Sequence, residues 1–289
     1  MKKVEVALPV KANLGECPRW DEKKQLLYWV DINAGQLHRF DPKTNKDEFI
    51  EFKEEIGCFS LRENEGFVVA MRSGFHFLDG WNNSLRPIAD PEAHLDKNRF
   101  NDGRCDAAGR FIAGSVYPPK DHDGANLWSL GFDLKVTKLA EGLLTSNGVA
   151  FSPDNKRLYF SDTPKHVIYQ YDYDIHSGDI SNGRVFHQFP IGNGRPDGAA
   201  VDVAGGYWTA LYEGARIVRL NPQGEITDEI AVPVRCPTMV AFGDEDLKTL
   251  YITSVGNRPE AELRDYPHSG ALFKVRVEVP GQVEYRFGL

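Results

Sequence analysis

A short apolar run, a polar turn and a second run rich in aromatic residues recur along this chain, most plainly between Ser146 and Asp162. There Ser146-Asn147-Gly148-Val149-Ala150-Phe151 predicts a buried strand, Pro153-Asp154-Asn155 a turn, and residues 158–161 a second strand. The large or apolar residues that precede the turns are Trp20, Leu61, Cys105, Phe151, Val201 and Phe242, so the unit repeats every 41 to 50 residues. Second strands are expected at 26–30, 67–71, 111–114, 158–161, 207–211 and 250–253. Third segments at 37–40, 75–78, 127–130, 168–171, 217–220 and 272–275 alternate with the period of a half-buried strand. Weaker fourth segments lie at 48–52, 136–140, 184–189 and 226–231. Helical periodicity is almost absent.

Four antiparallel strands per unit at this period predict an all-β fold, a six-bladed β-propeller, forming a single domain over residues 1–289. A β-sandwich would leave the long regular period unexplained. The sixth unit lacks a full set of strands. Residues 4–8, residues 283–287, or both are expected to complete it and close the ring.

The innermost strand of a propeller blade lines the central channel, so equivalent positions on the six inner strands form a ring. Four residues before each anchor stand Glu16, Gly57, Asn101, Asn147, Asp197 and Thr238. Four of these six are carboxylates or carboxamides, and Asp and Asn are depleted from strands. Taken singly, each is an ordinary turn residue, and Asn147-Gly148 and Asp197-Gly198 are common turn dipeptides. Their shared register favours a common role. Two carboxylates buried near one another need a compensating cation. Glu16 and Asp197, with the neutral oxygen of Asn147, predict oxygen ligation of a hard divalent cation, with positions left for water and substrate.

Composition narrows the function classes. The net charge of −8 is spread over interspersed acidic and basic residues, which argues against a nucleic-acid-binding face. No run of eighteen apolar residues is present, so no membrane span is expected. The N-terminus has no apolar core of a signal peptide. Cys17, Cys58, Cys105 and Cys236 are far apart and form no Cys-x-x-Cys, which predicts reduced thiols in a cytoplasmic protein. A Gly-x-Ser-x-Gly elbow and a His-x-x-x-His pair are both absent from the sequence. His38 and His76 fall on third strands, where structural roles are expected.

At the ring residues the chain resembles the senescence-marker-protein/gluconolactonase/regucalcin-like family. The matching motifs are Leu14-Gly15-Glu16-Cys17-Pro18-Arg19-Trp20, Asn98-Arg99-Phe100-Asn101-Asp102-Gly103, the run from Ser146 to Asp154, and Arg195-Pro196-Asp197-Gly198-Ala199. Each alone is weak, but their order and spacing over nearly the whole chain are specific. The resemblance implies a six-bladed propeller, one catalytic divalent metal (Ca, Mn, Mg, Zn or Fe) and hydrolysis of sugar lactones to sugar acids. It implies Glu16, Asn147 and Asp197 as metal ligands, Arg99 and Asn101 as substrate contacts, and Asp197 as the general base. The chain departs from animal members in the stretch 117–124, where they carry a substrate-binding carboxylate. Tyr117, Lys120 and His122 are the candidate replacements, the alternative being an exposed loop.

The expected partner is therefore a small-molecule sugar lactone. Two other readings remain open on the sequence: a promiscuous metal-dependent esterase or phosphotriesterase, and a non-catalytic calcium-binding propeller scaffold.

Overall fold

The computed structural model describes residues 3–82 and 84–288. Six four-stranded antiparallel sheets form the blades of a β-propeller. Blade 1 runs outward from the channel as Gly15–Asp21, Leu26–Asp31, Gln36–Asp41 and Lys46–Glu51. Blades 2 to 5 repeat this order, with inner strands Ile56–Leu61, Arg99–Cys105, Ser146–Phe151 and Arg195–Val201. The second and third strands lie where the alternation predicts them, within one or two residues at each end. The fourth strands drift further: Ile180–Gln188 begins four residues ahead of the expected 184. They are the most exposed strands of each blade, so their apolar alternation is weakest.

Blade 6 consists of Pro237–Gly243, Thr249–Ser254 and Leu272–Arg276, and its outer strand is the N-terminal Glu5–Leu8. Glu5 pairs with Lys274 and Val6 with Phe273, so the first strand of the chain clasps the last and closes the ring. The C-terminal stretch, the other candidate for closure, does not join a blade. It crosses the far mouth of the channel instead. Gln282 donates to the carbonyls of Phe151 and Val201, Glu284 faces Arg104 at 3.4 Å, and Arg286 bonds Asp21 at 2.8 Å. A short helix, Glu260–Asp265, sits in the connection ahead of the third strand of blade 6. Its six residues span under two turns, too few to leave a periodic signal.

The same local chemistry shapes each blade. The inner strands are almost wholly buried, although several carry polar residues in their middle. In blades 1, 3 and 5 an aspartate at the end of the inner strand then holds the turn. Asp21 accepts from the N–H groups of Lys23 and Lys24, Asp106 from Ala108 and Arg110, and Asp202 from Ala204 and Gly206. Aromatic rings fill the space between blades, as where Trp20 stacks on Tyr251 across the closure between blades 1 and 6.

All six inner strands break register at the same level. The shifts fall between Glu16 and Arg19, Ile56 and Cys58, Phe100 and Gly103, Asn147 and Ala150, Pro196 and Ala199, and Pro237 and Val240. Each lies at or beside a ring position read from the sequence. A β-bulge re-aims side chains out of the alternating pattern. The bulges therefore account for polar side chains turned to the channel in the middle of buried strands. Gly57 is the ring position without a side chain, and a Cβ there would lie 2.2 Å from the Phe100 carbonyl oxygen.

Candidate active site

Glu16, Asn101, Asn147 and Asp197, from four different blades, are brought together around the channel, and all four are buried. Asn101 and Asn147 are in direct contact, and Glu16 and Asp197 lie close enough for the charge of one to act on the other. Asn101 donates to the Asn147 Oδ1 at 2.7 Å and to the Ser146 carbonyl at 3.0 Å, and Arg99 donates to the Asn101 Oδ1 at 2.9 Å. Thr238 is turned to its own neighbours, donating to the Gly15 carbonyl and lying 2.8 Å from the Thr253 hydroxyl.

The hydrogen bonds fix which way the Asn147 amide points. The Thr163 hydroxyl donates to the Pro196 carbonyl at 2.8 Å, so only its lone pairs are left for Asn147. Asn147 must present its NH2 group to Thr163, at 2.8 Å, and its oxygen to the ring. That oxygen accepts one bond from Asn101 and keeps a second lone pair. Asn101 spends both amide protons inside the protein and has a single Oδ1 lone pair left to offer a sugar. Thr163 is the residue that sequence reasoning missed. Its one signal is its place in Asp162-Thr163-Pro164, just after the second strand of blade 4.

The electrostatics of the ring are unfavourable on their own. Burial pushes the Glu16 carboxyl well above its ordinary pKa, and the charges of Asp197 and Asp102 push it further. Burial and then Asp102 raise Asp197 in the same way, while Arg195 and Lys120 oppose them. Among the described residues no lysine or arginine bonds to either carboxylate. Below the ring, Asp102 lies 3.7 Å from the buried guanidinium of Arg19 and accepts from the N–H groups of Gly103 and Val149. Asp102, which follows Asn101 directly, is thus a structural anion tying blades 1, 3 and 4 together.

The donor set fits a hard divalent cation. Two buried, mutually repelling carboxylates and a carboxamide oxygen with an open lone pair supply oxygen ligands and net negative charge. Among the described residues no three His, Cys, Asp or Glu side chains converge anywhere, so the set has to draw on Asn147. The four cysteines are buried free thiols, and burial pushes Cys17 up to about 12.

Arg99 lies beside the ring. Its guanidinium bonds the Phe100 carbonyl at 2.9 Å and faces Glu55 at 3.9 Å. The preceding Asn98 is held by Glu92, a buried carboxylate that also accepts from Ser115, Asn126 and Trp128. In the stretch 117–124, Tyr117 and His122 are used within the loop: their rings lie 4.3 Å apart and both bond Asp121. Of the three candidate replacements there, Lys120 is the one whose charge interacts with Asp197. His38 stacks on Trp29 and bonds Asp47, and His76 bonds the Gly74 carbonyl, so both serve the blades.

A model of the SMP-30/gluconolactonase/LRE-like region matches residues 14–256. The chain belongs to this family. It is 48% identical over 276 residues to a 6-deoxy-6-sulfogluconolactonase of Pseudomonas putida, covering 95% of this chain and 94% of that protein. It is 34% identical to a pentonolactonase of Haloferax volcanii and 33% identical to human regucalcin, with 94% of each chain covered in both cases. Among solved structures, a luciferin-regenerating enzyme superposes over the full length of both chains with a TM-score of 0.93 at 29% identity. A calcium-binding regucalcin of Agrobacterium tumefaciens superposes with a TM-score of 0.95 at 24% identity, over 100% of this chain and 98% of that one, which speaks to the fold. Lactonases among the relatives support hydrolysis of sugar lactones as the family-level activity. No helix among the described residues is long and apolar enough to cross a membrane.

Proposed function

We propose that this protein hydrolyses sugar lactones to sugar acids at the ring of Glu16, Asn101, Asn147 and Asp197, with one divalent cation held by Glu16, Asn147 and Asp197. The observation that carries the reading is the convergence of these four side chains at one level of the channel, in a family whose named members include lactonases. A calcium-binding structural relative and the oxygen donor set support a divalent cation. When bound, that cation supplies Lewis-acid polarisation of the lactone carbonyl and a more acidic water.

The protein's own groups perform the remaining tasks. Arg99, with its guanidinium fixed by Phe100 and Asn101, donates to the hydroxyls of the sugar. The open lone pair on the Asn101 Oδ1 accepts from one of them. Asp197 takes the proton of the attacking water and returns it to the ring oxygen as the C–O bond opens, so the products are a carboxylic acid and a free hydroxyl. The C-terminal stretch across the far mouth leaves the ring to be approached from the side of Arg99 and Arg195.

The 48%-identical relative is named for a lactone that carries a sulfonate, which brings charged sugar lactones within the candidate substrates. A cytoplasmic setting is part of the same proposal. Turnover of a panel of neutral and charged aldonolactones, with and without chelator, tests the reading. Turnover of several lactones that chelation abolishes is the expected result. Hydrolysis of simple aryl esters or phosphotriesters with no lactone turnover would favour a promiscuous esterase. Metal binding without turnover would favour a scaffold.

A further inference from the structure

Glu92 is a buried carboxylate outside the ring, in the connection that leads from blade 2 into the inner strand Arg99–Cys105. Among the described residues no lysine, arginine or histidine pairs with it. Four donors converge on it instead. Its Oε1 accepts from the Ser115 hydroxyl at 2.9 Å, the Asn126 amide at 2.7 Å and the Trp128 indole at 2.9 Å. Its Oε2 accepts from the Asn98 amide at 2.9 Å.

Asn98 is itself buried, and it immediately precedes Arg99. Its NH2 group donates to Glu92 and, at 2.9 Å, to the Gly124 carbonyl. Both of these partners are acceptors, so the amide has one workable orientation. Its backbone N–H bonds the Leu95 carbonyl at 2.8 Å, and its own carbonyl accepts from Arg72 at 3.1 Å. Gly124 ends the stretch 117–124. That stretch leaves the sheet at Val116, which pairs with Arg99 on one side and bridges Thr145 on the other, two residues before Asn147. Asn98 therefore ties the backbone of Arg99 to the end of a loop that begins opposite it. The Arg99 Nη1 is spent on the Phe100 carbonyl and the Asn101 Oδ1, at 2.9 Å each. Among the described residues Nη2 has no partner, so it is the edge left for a sugar.

We propose that Glu92 is a positioning residue for the lactone: acting through Asn98, it fixes where the Nη2 edge of Arg99 meets the sugar hydroxyls. The proposal rests on the lactonase reading and adds a residue to its binding step. Only a carboxylate accepts on both of its oxygens. In Glu92→Gln the introduced amide oxygen can still serve the three donors at Oε1, but its NH2 group then faces the NH2 group of Asn98. If the Asn98 amide flips to meet it, the Asn98 oxygen faces the Gly124 carbonyl. Either way one tie on Asn98 is lost while the side-chain volume is kept.

The test measures kcat and KM at saturating metal for the aldonolactone that the wild type turns over fastest, in the wild type, Glu92→Gln, Arg99→Ala and the double variant. Glu92→Gln should raise KM about tenfold, the worth of a hydrogen bond to a charged group, and leave kcat within about twofold. In the Arg99→Ala background the same substitution should change KM by less than about twofold, because the two residues act along one path. Asn98→Ala cuts the link from its other end and should reproduce both results. Trp128→Phe removes another donor to Glu92 without touching Asn98, so it should lower the melting temperature and leave KM alone. A KM shift of equal size with and without Arg99, an unchanged KM in both Glu92→Gln and Asn98→Ala, or an equal rise in Trp128→Phe overturns the proposal and leaves the lactonase reading standing. Absence of lactone turnover by the wild type overturns both.

Discussion

The hydroxyl of Thr163 bridges the Asn147 amide and the Pro196 carbonyl, 2.8 Å from each, and so turns the Asn147 oxygen toward Asn101 on the preceding blade. The bond sets the amide orientation, because a carbonyl-bound hydroxyl can only accept from Asn147. Thr163→Val keeps the shape and removes both bonds. Loss of an outer partner of this kind typically costs 10- to 100-fold in metal affinity. Calorimetry with Ca²⁺ or Mn²⁺ should register a fall of about that size for Thr163→Val and near-recovery for Thr163→Ser. Equal affinity in all three proteins would sink the positioning role.

Glu16 and Asp197 oppose folding of the metal-free protein, since both are buried and Glu16 is driven up by the charge of Asp197. Adding cation at about 100 times its dissociation constant should raise wild-type stability by ~2.7 kcal/mol. Glu16→Gln removes one of the two charges. It should melt higher than the wild type in chelator and gain much less on adding metal. Thermal melts with and without Ca²⁺ decide this, and a metal-induced rise as large in Glu16→Gln as in the wild type would exclude Glu16 as a ligand.

At the other end of the channel Arg104 and Glu284 form a pair that is about nine-tenths buried on each side, and Arg104 also donates to the Ala199 carbonyl at 2.9 Å. Glu284→Leu leaves the guanidinium without its carboxylate. Breaking a buried pair in this way should cost roughly 3 kcal/mol. Urea unfolding of the variant should move to lower denaturant by the corresponding amount, whereas metal affinity at the ring should stay near that of the wild type. Unaltered stability would mean that the Arg104–Glu284 pair contributes nothing to holding the C-terminal stretch on the propeller.

The fold was legible because each blade repeats one local pattern, and the ring because its members share one offset from the repeat anchors. The clasp was not, since 4–8 and 283–287 are both short, largely apolar segments that suit a strand. The choice between them rests on distant partners: Glu5 and Val6 meet Lys274 and Phe273, while Glu284 meets Arg104. Thr163 was hidden for the same reason. Its role arises from a contact between blades 4 and 5 that no local pattern records. Tyr117, Lys120 and His122 could be named only as candidates, because the contact that occupies Tyr117 and His122 within the loop is a feature of the folded chain.

The most demanding prediction separates the two carboxylates of the ring. Glu16 accepts from the backbone N–H of Cys17 at 3.1 Å and is assigned only to holding the cation. Asp197 is assigned a second task, the proton of the attacking water. Burial and Asp102 raise its pKa, Arg195 and Lys120 lower it, and a bound dication lowers it further. A base of low pKa still works when the water it serves is made more acidic to match. Asp197→Asn and Glu16→Gln both keep an oxygen donor and lose one charge, so each should need more metal. At saturating metal, Glu16→Gln should recover to within about tenfold of the wild-type kcat. Asp197→Asn should stay lower by a further 10²- to 10⁴-fold, the range for loss of general base catalysis. The measurement is kcat for both variants across a metal titration. If saturating metal restores Asp197→Asn as fully as Glu16→Gln, Asp197 is a ligand alone and the proton leaves by another route.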